Sequence, residues 1–206
     1  MSDGRLITIE GIDGAGKTTL ALSLLDALRE RGIEAHILRE PGGVRAAERV
    51  RALVKDAELE IGARAEALLY AAARAQLVEE AIEPLLERGA WLLLDRFVDS
   101  SLAYQGAGRE LGIEAVRAIN EFATKGLRPD RTLLLTLEPE LGRARSQARL
   151  DALDRLERED EAFFVRVAAA YLGLWAADTD RVKRIDASQP PERVLEAAIA
   201  AISDLL

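Results

Sequence analysis

The chain alternates short apolar runs with longer segments in which apolar residues recur every three or four positions. Short apolar runs bounded by Gly, Pro or charged residues are typical of buried strands, and the longer pattern is typical of amphipathic helices. The predicted strands are Leu6–Glu10, Glu34–Arg39, Trp91–Asp95, Arg131–Leu137 and Val182–Asp186. The predicted helices are Thr18–Arg31, Val44–Lys55, Ala63–Arg88, Ile113–Thr124, Glu140–Arg149, Asp154–Asp178 and Pro191–Leu206.

Alternation of strand and helix along the whole chain predicts an α/β fold, a five-stranded parallel sheet with helices on both faces, in one domain spanning residues 1–206. Trp91–Asp95 is almost entirely apolar, so we expect it to be a central strand covered on both sides. Ligands of such sheets bind at the carboxyl ends of the strands. We therefore look for chemistry just after Glu10, Arg39, Asp95 and Leu137.

Composition narrows the possible functions. The chain has 206 residues, 49% of them hydrophobic, and a net charge of −8, so a sizeable core is expected and a nonspecific nucleic-acid coat is not. With no Cys and only His36 as a histidine, disulfide frameworks and Cys- or His-rich metal sites are excluded. We see neither a run of roughly 18 apolar residues nor a secretory signal, and expect a cytoplasmic location.

A complete phosphate-loop pattern follows the first predicted strand. The segment GIDGAGKT at 11–18 matches G-x-x-x-x-G-K-[ST] and lies between a strand and a helix, which predicts a P-loop NTPase fold. Glycines let the backbone wrap a phosphate, and we expect Lys17 to reach the β- and γ-phosphates and Thr18 to ligate Mg²⁺. The predicted ATP-contacting residues are Gly11, Ile12, Asp13, Gly14, Ala15, Gly16, Lys17, Thr18 and Thr19.

The other strand ends carry polar groups suited to nucleotides. Asp95 can hold Mg²⁺ beside the phosphate loop, and the Arg96 fork suits a phosphate. The alternative for this pair is an ion pair at the strand end. After the second strand, Arg51 belongs to an arginine-rich segment suited to an acceptor phosphate, although some arginines there must face solvent.

Two further groups suit a nucleobase. Tyr70 and Arg74 lie four residues apart on one helix face and could stack on a base and hydrogen-bond it, although alone they are better read as core residues. A Gln amide both donates and accepts, as a pyrimidine edge requires, but taken alone it is weak support. The polar residues that follow Asp95-Arg96 are Ser100, Ser101, Tyr104 and Gln105.

An arginine-rich segment at approximately 141–160 is either a mobile lid or a salt-bridged surface helix. Its candidate lid arginines are Arg143, Arg145, Arg149 and Arg155, interleaved with carboxylates. A closing lid would bring arginines to a transferring phosphoryl group and exclude water.

Taken together, these segments resemble the thymidylate kinase (dTMP kinase) family of P-loop nucleoside monophosphate kinases. The matching stretches occur in the family's order and span nearly the whole chain. They are IEGIDGAGKTT at 9–19, REPGG at 39–43, LLYAAARAQLVEE at 68–80, DRFVDSSLAYQGAGR at 95–109, RPD at 128–130, DRLE at 154–157 and DASQP at 186–190. The combination of REPGG with DR…S…AYQGAGR is far more specific than the phosphate loop alone.

The resemblance implies transfer of the γ-phosphoryl group of ATP to dTMP with Mg²⁺, giving dTDP and ADP. It implies catalytic roles for Lys17, Arg96 and Asp13, the last also placing the deoxyribose. It implies that Tyr70 stacks on thymine and that Tyr104 disfavours ribose. It further implies a loop at 187–189 near adenine and a homodimer. The implied dTMP-binding residues are Asp13, Arg51, Tyr70, Arg74, Arg96, Ser100, Ser101, Tyr104 and Gln105; the implied metal ligands are Thr18 and Asp95.

The family divides by the position of its catalytic arginine. The variable positions of this phosphate loop carry none, so the chain resembles the bacterial type with a lid arginine. Arg149 is the favoured transition-state arginine, with Arg145 and Arg155 next. Val44 stands where the family usually has Thr, and Tyr70 where it usually has Phe.

Two alternatives stay open. The first is a sibling kinase acting on another nucleoside monophosphate or on a deoxynucleoside, which a substrate panel would distinguish. The second is a P-loop GTPase switch or binding module. The chain contains no N-K-x-D guanine-reading motif, because its four lysines occur in GKT, VKD, TKG and VKR.

Overall fold

The computed structural model describes residues 4–147 and 155–206. Five parallel strands form one sheet, as the sequence predicts, and the structure shows their order to be β2-β3-β1-β4-β5. The strands are β1 Arg5–Glu10, β2 Ala35–Arg39, β3 Trp91–Asp95, β4 Arg131–Thr136 and β5 Val182–Asp186. None of the described helices is long and apolar enough to cross a bilayer.

Helices cover both faces of the sheet. The α-helices are α1 Lys17–Glu30, α2 Arg45–Lys55, α3 Ala63–Leu77, α4 Glu83–Glu87, α5 Val98–Ser101, α6 Ile113–Thr124, α7 Pro139–Gln147, α8 Glu161–Ala177 and α9 Pro191–Ala201. Two π-helical segments, Val78–Ile82 and Leu102–Gly108, continue α3 and α5. A helix was predicted over Asp154–Asp178, but among the described residues of this range α8 begins at Glu161. The Asp160 carboxylate accepts from the Phe163 N–H at 2.8 Å and caps the helix there.

The core forms on both faces because side chains of the two central strands alternate between them. Ile7, Ile9 and Leu93 lie in the larger cluster, whereas Leu92 and Leu94 lie in the cluster on the other face. The predicted central position of β3 is confirmed, since it pairs with β1 on one side and β2 on the other.

The carboxyl ends of β1, β2 and β3 are brought to one edge by backbone hydrogen bonds. The Arg96 N–H donates to the Ile9 carbonyl at 3.0 Å, and the Glu40 N–H donates to the Asp95 carbonyl at 2.9 Å. Side chains that are far apart in sequence therefore meet beside the phosphate loop.

Candidate active site

A cleft of about 610 Å³ opens at this edge of the sheet. Its lining unites the phosphate loop with the segments that follow β2 and β3 and with one face of α3. All nine residues predicted to bind dTMP line it, together with both predicted metal ligands. Of the nine predicted ATP-contacting residues, Asp13, Gly14, Lys17 and Thr18 line it. From these sets the lining includes Asp13, Gly14, Arg51, Tyr70, Arg74, Arg96, Ser100, Ser101, Tyr104, Gln105, Lys17, Thr18 and Asp95.

Lys17 folds back over the phosphate loop. Its Nζ donates to the carbonyls of Gly11 at 3.1 Å and Ile12 at 2.9 Å. Burial, reinforced by the Arg96 charge, lowers the pKa of Lys17 from 10.5 to about 8, against the opposing pull of nearby carboxylates. Gly16, with φ 91°, leads directly into α1, so the first turn of that helix opens onto the same loop.

Thr18 and Asp95 join the loop to the end of β3. The Thr18 hydroxyl donates to Asp95 Oδ2 at 2.9 Å, so two oxygen donors lie side by side next to the loop. Among residues 4–147 and 155–206 there is no cluster of three acidic, His or Cys side chains that could hold a metal by itself. One or two protein oxygens beside nucleotide phosphates are the donor set that Mg²⁺ favours, so the pair fits that ion.

Arg96 lies at the centre of the cleft and is tied to Asp13 and Tyr104. Its Nη2 lies 2.7 Å from Asp13 Oδ1 and 3.2 Å from the Tyr104 hydroxyl, which in turn donates to Asp13 Oδ2 at 3.0 Å. Burial opposes ionisation of Asp13, yet Arg96 and then Lys17 hold its pKa well below the usual value. The result is a cationic group fixed to the phosphate loop.

A buried carboxylate that the sequence analysis did not single out lies beneath Arg96. Glu10 Oε1 accepts from the Phe97 N–H at 2.7 Å, and Oε2 accepts from the hydroxyls of Ser100 at 2.6 Å and Tyr171 at 2.9 Å. Burial, and after it the Asp99 charge, raises the pKa of Glu10 from 4.5 to about 7. In the sequence, Glu10 stands out only as an acidic residue at the end of an apolar strand, and this does not identify its partners.

The predicted base-binding residues Tyr70, Arg74 and Gln105 line the same cleft as Arg96. Arg74 is 1% exposed, and its five N–H groups are directed at protein acceptors. The Nε lies 2.7 Å from Glu40 Oε2 and one Nη1 hydrogen points to Ser101 Oγ at 2.9 Å. The remaining acceptors are Asn120 Oδ1, the Phe97 carbonyl and a second contact to Glu40. Arg74 therefore braces the wall of the cleft.

The described lid arginines do not line this cleft. Arg143 lies over the Phe164 ring, 5.4 Å from its centre, and Arg145 donates to the Ala187 carbonyl at 3.1 Å. Arg155 pairs with the buried Glu66 at 2.5 Å. Arg149 falls outside the described residues. From this segment the cleft receives Leu156 and Glu157 instead.

The phosphate loop touches the lid-side helix α7 through two glycines. Gly14 adopts φ +79°, and a Cβ on it would lie 2.1 Å from the Gly142 carbonyl oxygen. A Cβ on Gly142 would in turn lie 2.8 Å from the Asp13 carbonyl oxygen. The two backbones can approach this closely only because both residues lack a side chain.

Comparison with known proteins identifies the family of the chain. The family model described as thymidylate kinase matches residues 9–198. A thymidylate kinase of Oenococcus oeni is 50% identical, with the match covering 100% of this chain and 98% of that protein. One from Ligilactobacillus salivarius is 42% identical over 99% and 100% of the two chains. A crystal structure of thymidylate kinase from Ehrlichia chaffeensis matches with TM-score 0.78 and 27% identity, covering 97% of this chain and 99% of the other. The chain therefore belongs to the thymidylate kinase family.

Proposed function

We propose that this protein transfers the γ-phosphoryl group of ATP to dTMP, giving dTDP and ADP, in the synthesis of dTTP. The observation that carries the proposal is one cleft that joins the phosphate-loop residues Gly14, Lys17 and Thr18 to the nine predicted dTMP-binding residues, Arg96 among them. A switch GTPase needs no such second nucleotide pocket. The chain's membership of the family supports the same conclusion.

On the donor side, we assign the ATP phosphates to the loop backbone, Lys17 and Thr18. The two carbonyl contacts of Lys17 Nζ can be exchanged for phosphate oxygens, to which an ammonium binds more strongly. We assign adenine to the loop at 187–189, whose first residue is contacted by Arg145 from α7. This contact ties the lid-side helix to the donor site.

Mg²⁺ would be held by Thr18 and Asp95 together with the ATP phosphates. When bound, it neutralises charge on the β- and γ-phosphates. The residues of the chain do the remaining work of orienting the two nucleotides and excluding water from between them.

On the acceptor side, Tyr70 stacks on thymine, and Gln105 reads its edge with help from Ser100 or Ser101. We also assign Arg74 to that edge, where it would bond thymine by exchanging one of its protein contacts, such as the one to Ser101 Oγ. Tyr104 and Asp13 surround the sugar, where the Tyr104 ring leaves little room for a 2′-hydroxyl. Arg96 and Arg51 bind the acceptor phosphate, and Arg51 is oriented by donating to the Pro41 carbonyl at 2.8 Å.

Chemically, the reaction needs no covalent intermediate and no strong base, because the acceptor is already a phosphate anion. The rate comes from alignment and from stabilisation of charge on the transferring group. Arg96 is held in the cleft by its ion pair with Asp13, so little reorganisation is required of it. We assign the final arginine contact to the lid, with Arg149 favoured.

We also place the enzyme in the cytoplasm, where ATP and dTMP are available, and propose a homodimer. The dimer is supported by exposed apolar side chains on two helices that pack together, Leu68 on α3 (56% exposed) and Phe122 on α6 (90% exposed). Burying such groups against a second copy would be favourable. Sedimentation equilibrium would read the mass directly, and a monomer at micromolar concentration would contradict the dimer.

The residue assignments are tested by single substitutions assayed with ATP, Mg²⁺ and dTMP. We expect Lys17→Ala and Arg96→Ala each to lower kcat by about 100-fold or more, because each removes a cation aimed at the transferring phosphoryl. Circular dichroism should show the fold intact. Arg193→Ala, a 69% exposed arginine of α9, is the matched control and should keep wild-type turnover. Near-native turnover of either cleft variant would overturn its assignment.

A further inference from the structure

Gln105 is held at the cleft in one particular orientation. It lies in the π-helical segment Leu102–Gly108, is 2% exposed and lines the cleft. Its Nε2 donates to Oε1 of Glu66 at 2.9 Å. Glu66 lies on α3, one turn before Tyr70, and is completely buried behind the cleft wall.

The chemistry of this contact decides which end of the amide faces the cleft. A carboxylate accepts hydrogen bonds and donates none, so the amide nitrogen must face Glu66. Among the described residues, Glu66 is the only hydrogen-bond partner of the Gln105 side chain. The carbonyl oxygen Oε1 is then the polar atom that Gln105 offers to a ligand.

Two arginines hold Glu66 in this role. Arg109 Nη2 lies 3.1 Å from Glu66 Oε2, and Arg155 Nη2 lies 2.5 Å from the same oxygen. Arg109 Nε also lies 3.3 Å from Oε1, the oxygen that accepts from Gln105. Two close guanidinium contacts fix Oε2, and Oε1 stays directed at Gln105. Arg155 also donates to the Val54 carbonyl at 3.2 Å, so Glu66 is fixed to α2 as well as to α3.

We propose that Glu66 is a positioning residue that sets the base preference of the dTMP site by orienting Gln105. This proposal rests on the proposed function, which places the pyrimidine beside Gln105. Thymine and uracil carry a hydrogen on N3 and would donate it to Gln105 Oε1. Cytosine N3 carries a lone pair and would face that same oxygen as a second acceptor. A fixed amide therefore favours dTMP and dUMP over dCMP, whereas an amide free to turn would not.

Glu66→Gln tests the proposal. Arg155 Nη2 and Arg109 Nη2 both contact Oε2, at 2.5 and 3.1 Å, whereas Oε1 has only the longer 3.3 Å contact with Arg109 Nε. The single carbonyl oxygen of the new side chain will therefore take the Oε2 position, leaving its NH₂ group toward Gln105. Gln105 then turns its own oxygen to that group and presents its NH₂ to the cleft. We expect the ratio of kcat/KM for dTMP to that for dCMP to fall by at least about 10-fold, through a higher KM for dTMP, with the KM for ATP unchanged.

Three companion variants separate this role from a purely structural one. Arg109→Met removes the guanidinium that contacts both oxygens of Glu66, but Arg155 still holds Oε2 and Oε1 still accepts from Gln105. It should therefore lower the melting temperature and keep the ratio within about two-fold. In a Gln105→Leu background, Glu66→Gln should leave the ratio unmoved. Glu66→Asp retains the charge but withdraws the acceptor by one methylene group, so it should also lower the ratio and serves if Glu66→Gln unfolds.

The outcomes distinguish the two levels of the account. A wild-type enzyme without preference for dTMP over dCMP would contradict the proposed function itself. A wild-type preference that survives unchanged in a folded Glu66→Gln or Glu66→Asp variant would overturn only the role of Glu66.

Discussion

Arg96 Nη2 and Asp13 Oδ1 lie 2.7 Å apart, so the residue that follows β3 is bonded directly to the phosphate loop. Arg96 takes φ +70°, a left-handed conformation that costs energy for a side chain of this size. The contacts of its guanidinium to Asp13, Tyr104 and Ser100 offset that cost. Strain held in place by surrounding contacts is a recurring feature of functional sites.

The first prediction concerns Glu10 and pH. Its pKa is raised from 4.5 to about 7, so between these values the folded protein keeps a proton that the unfolded chain has lost. Stability from this group is present at low pH and falls as pH rises through 7. In Glu10→Gln, the free energy of unfolding should fall by up to roughly 3 kcal/mol less than in the wild type as pH rises. Urea unfolding from pH 5 to 8 would measure the difference.

The Glu10→Gln variant is expected to fold because the site tolerates an amide. Both backbone donors at Glu10 point to Oε1, whereas both partners of Oε2 are hydroxyls that can accept a hydrogen bond. Glu114→Gln, at an exposed position of α6, serves as the control and should follow the wild-type curve. Parallel pH curves for wild type and Glu10→Gln would show that Glu10 does not titrate in this range.

The second prediction concerns the buried pair of Arg74 and Glu40. Burial raises the pKa of the Glu40 carboxyl and Arg74 opposes the shift, so Arg74→Met removes the only cation paired with that carboxylate among the described residues. We expect a loss of about 3–5 kcal/mol in the free energy of unfolding. The double variant with Glu40→Gln should regain part of it, which a double-mutant cycle would measure.

The control for Arg74 is an exposed arginine. Arg117→Met breaks only a surface pair with Glu114 and should change stability by less than about 1 kcal/mol. If Arg74→Met were as stable as Arg117→Met, the bracing role assigned to Arg74 would be wrong and its contribution would be confined to ligand binding.

The third prediction concerns the contact between the phosphate loop and α7. A methyl group on Gly142 would meet the Asp13 carbonyl oxygen at 2.8 Å and the Ile12 side chain at 2.7 Å, so Gly142→Ala must push the loop and helix apart. Displacing Asp13 misaligns the acceptor, and we expect kcat to fall by about 10- to 100-fold.

Gly173→Ala is the matched change for Gly142→Ala. Gly173 lies inside α8 with nothing within 4 Å of an added Cβ, so the substitution should preserve turnover and stabilise the protein by about 0.5–1 kcal/mol. Equal turnover in the two variants would show that the reaction does not depend on close approach of α7 to the loop.

The sheet could be predicted from sequence because its strands are apolar and sharply bounded. The predicted strand Trp91–Asp95 matches β3 at both ends. The helical segments were harder to predict. The polar residues of Ser100–Gly108 give no helical pattern, yet the segment belongs to α5 and to the π-helical segment that continues it. Its polar side chains do not mark a solvent face, since Ser100 donates to the buried Glu10 and Gln105 lines the cleft. The single predicted helix Ala63–Arg88 contains a π-helical turn that hydrophobic periodicity does not register.

Sequence alone could identify the site residues that follow a strand end or belong to a known motif. Glu10 and Glu66 escaped notice because their roles depend on partners far along the chain. Glu10 binds Tyr171, 161 residues away, and Glu66 binds Arg155, 89 residues away. A buried acid has no signature of its own in a single sequence, since only the fold reveals which donors surround it.

The most direct test of the account is the rate of ADP release with ATP and Mg²⁺ across dTMP, dUMP, dCMP, UMP, CMP, AMP and GMP. The account predicts the highest kcat/KM for dTMP. It also predicts that UMP is disfavoured relative to dUMP, because we propose that the Tyr104 ring leaves little room for a 2′-hydroxyl. A higher kcat/KM for another acceptor would contradict the base-pocket assignment and favour a sibling kinase. No acceptor-dependent release of ADP at all would contradict the kinase function.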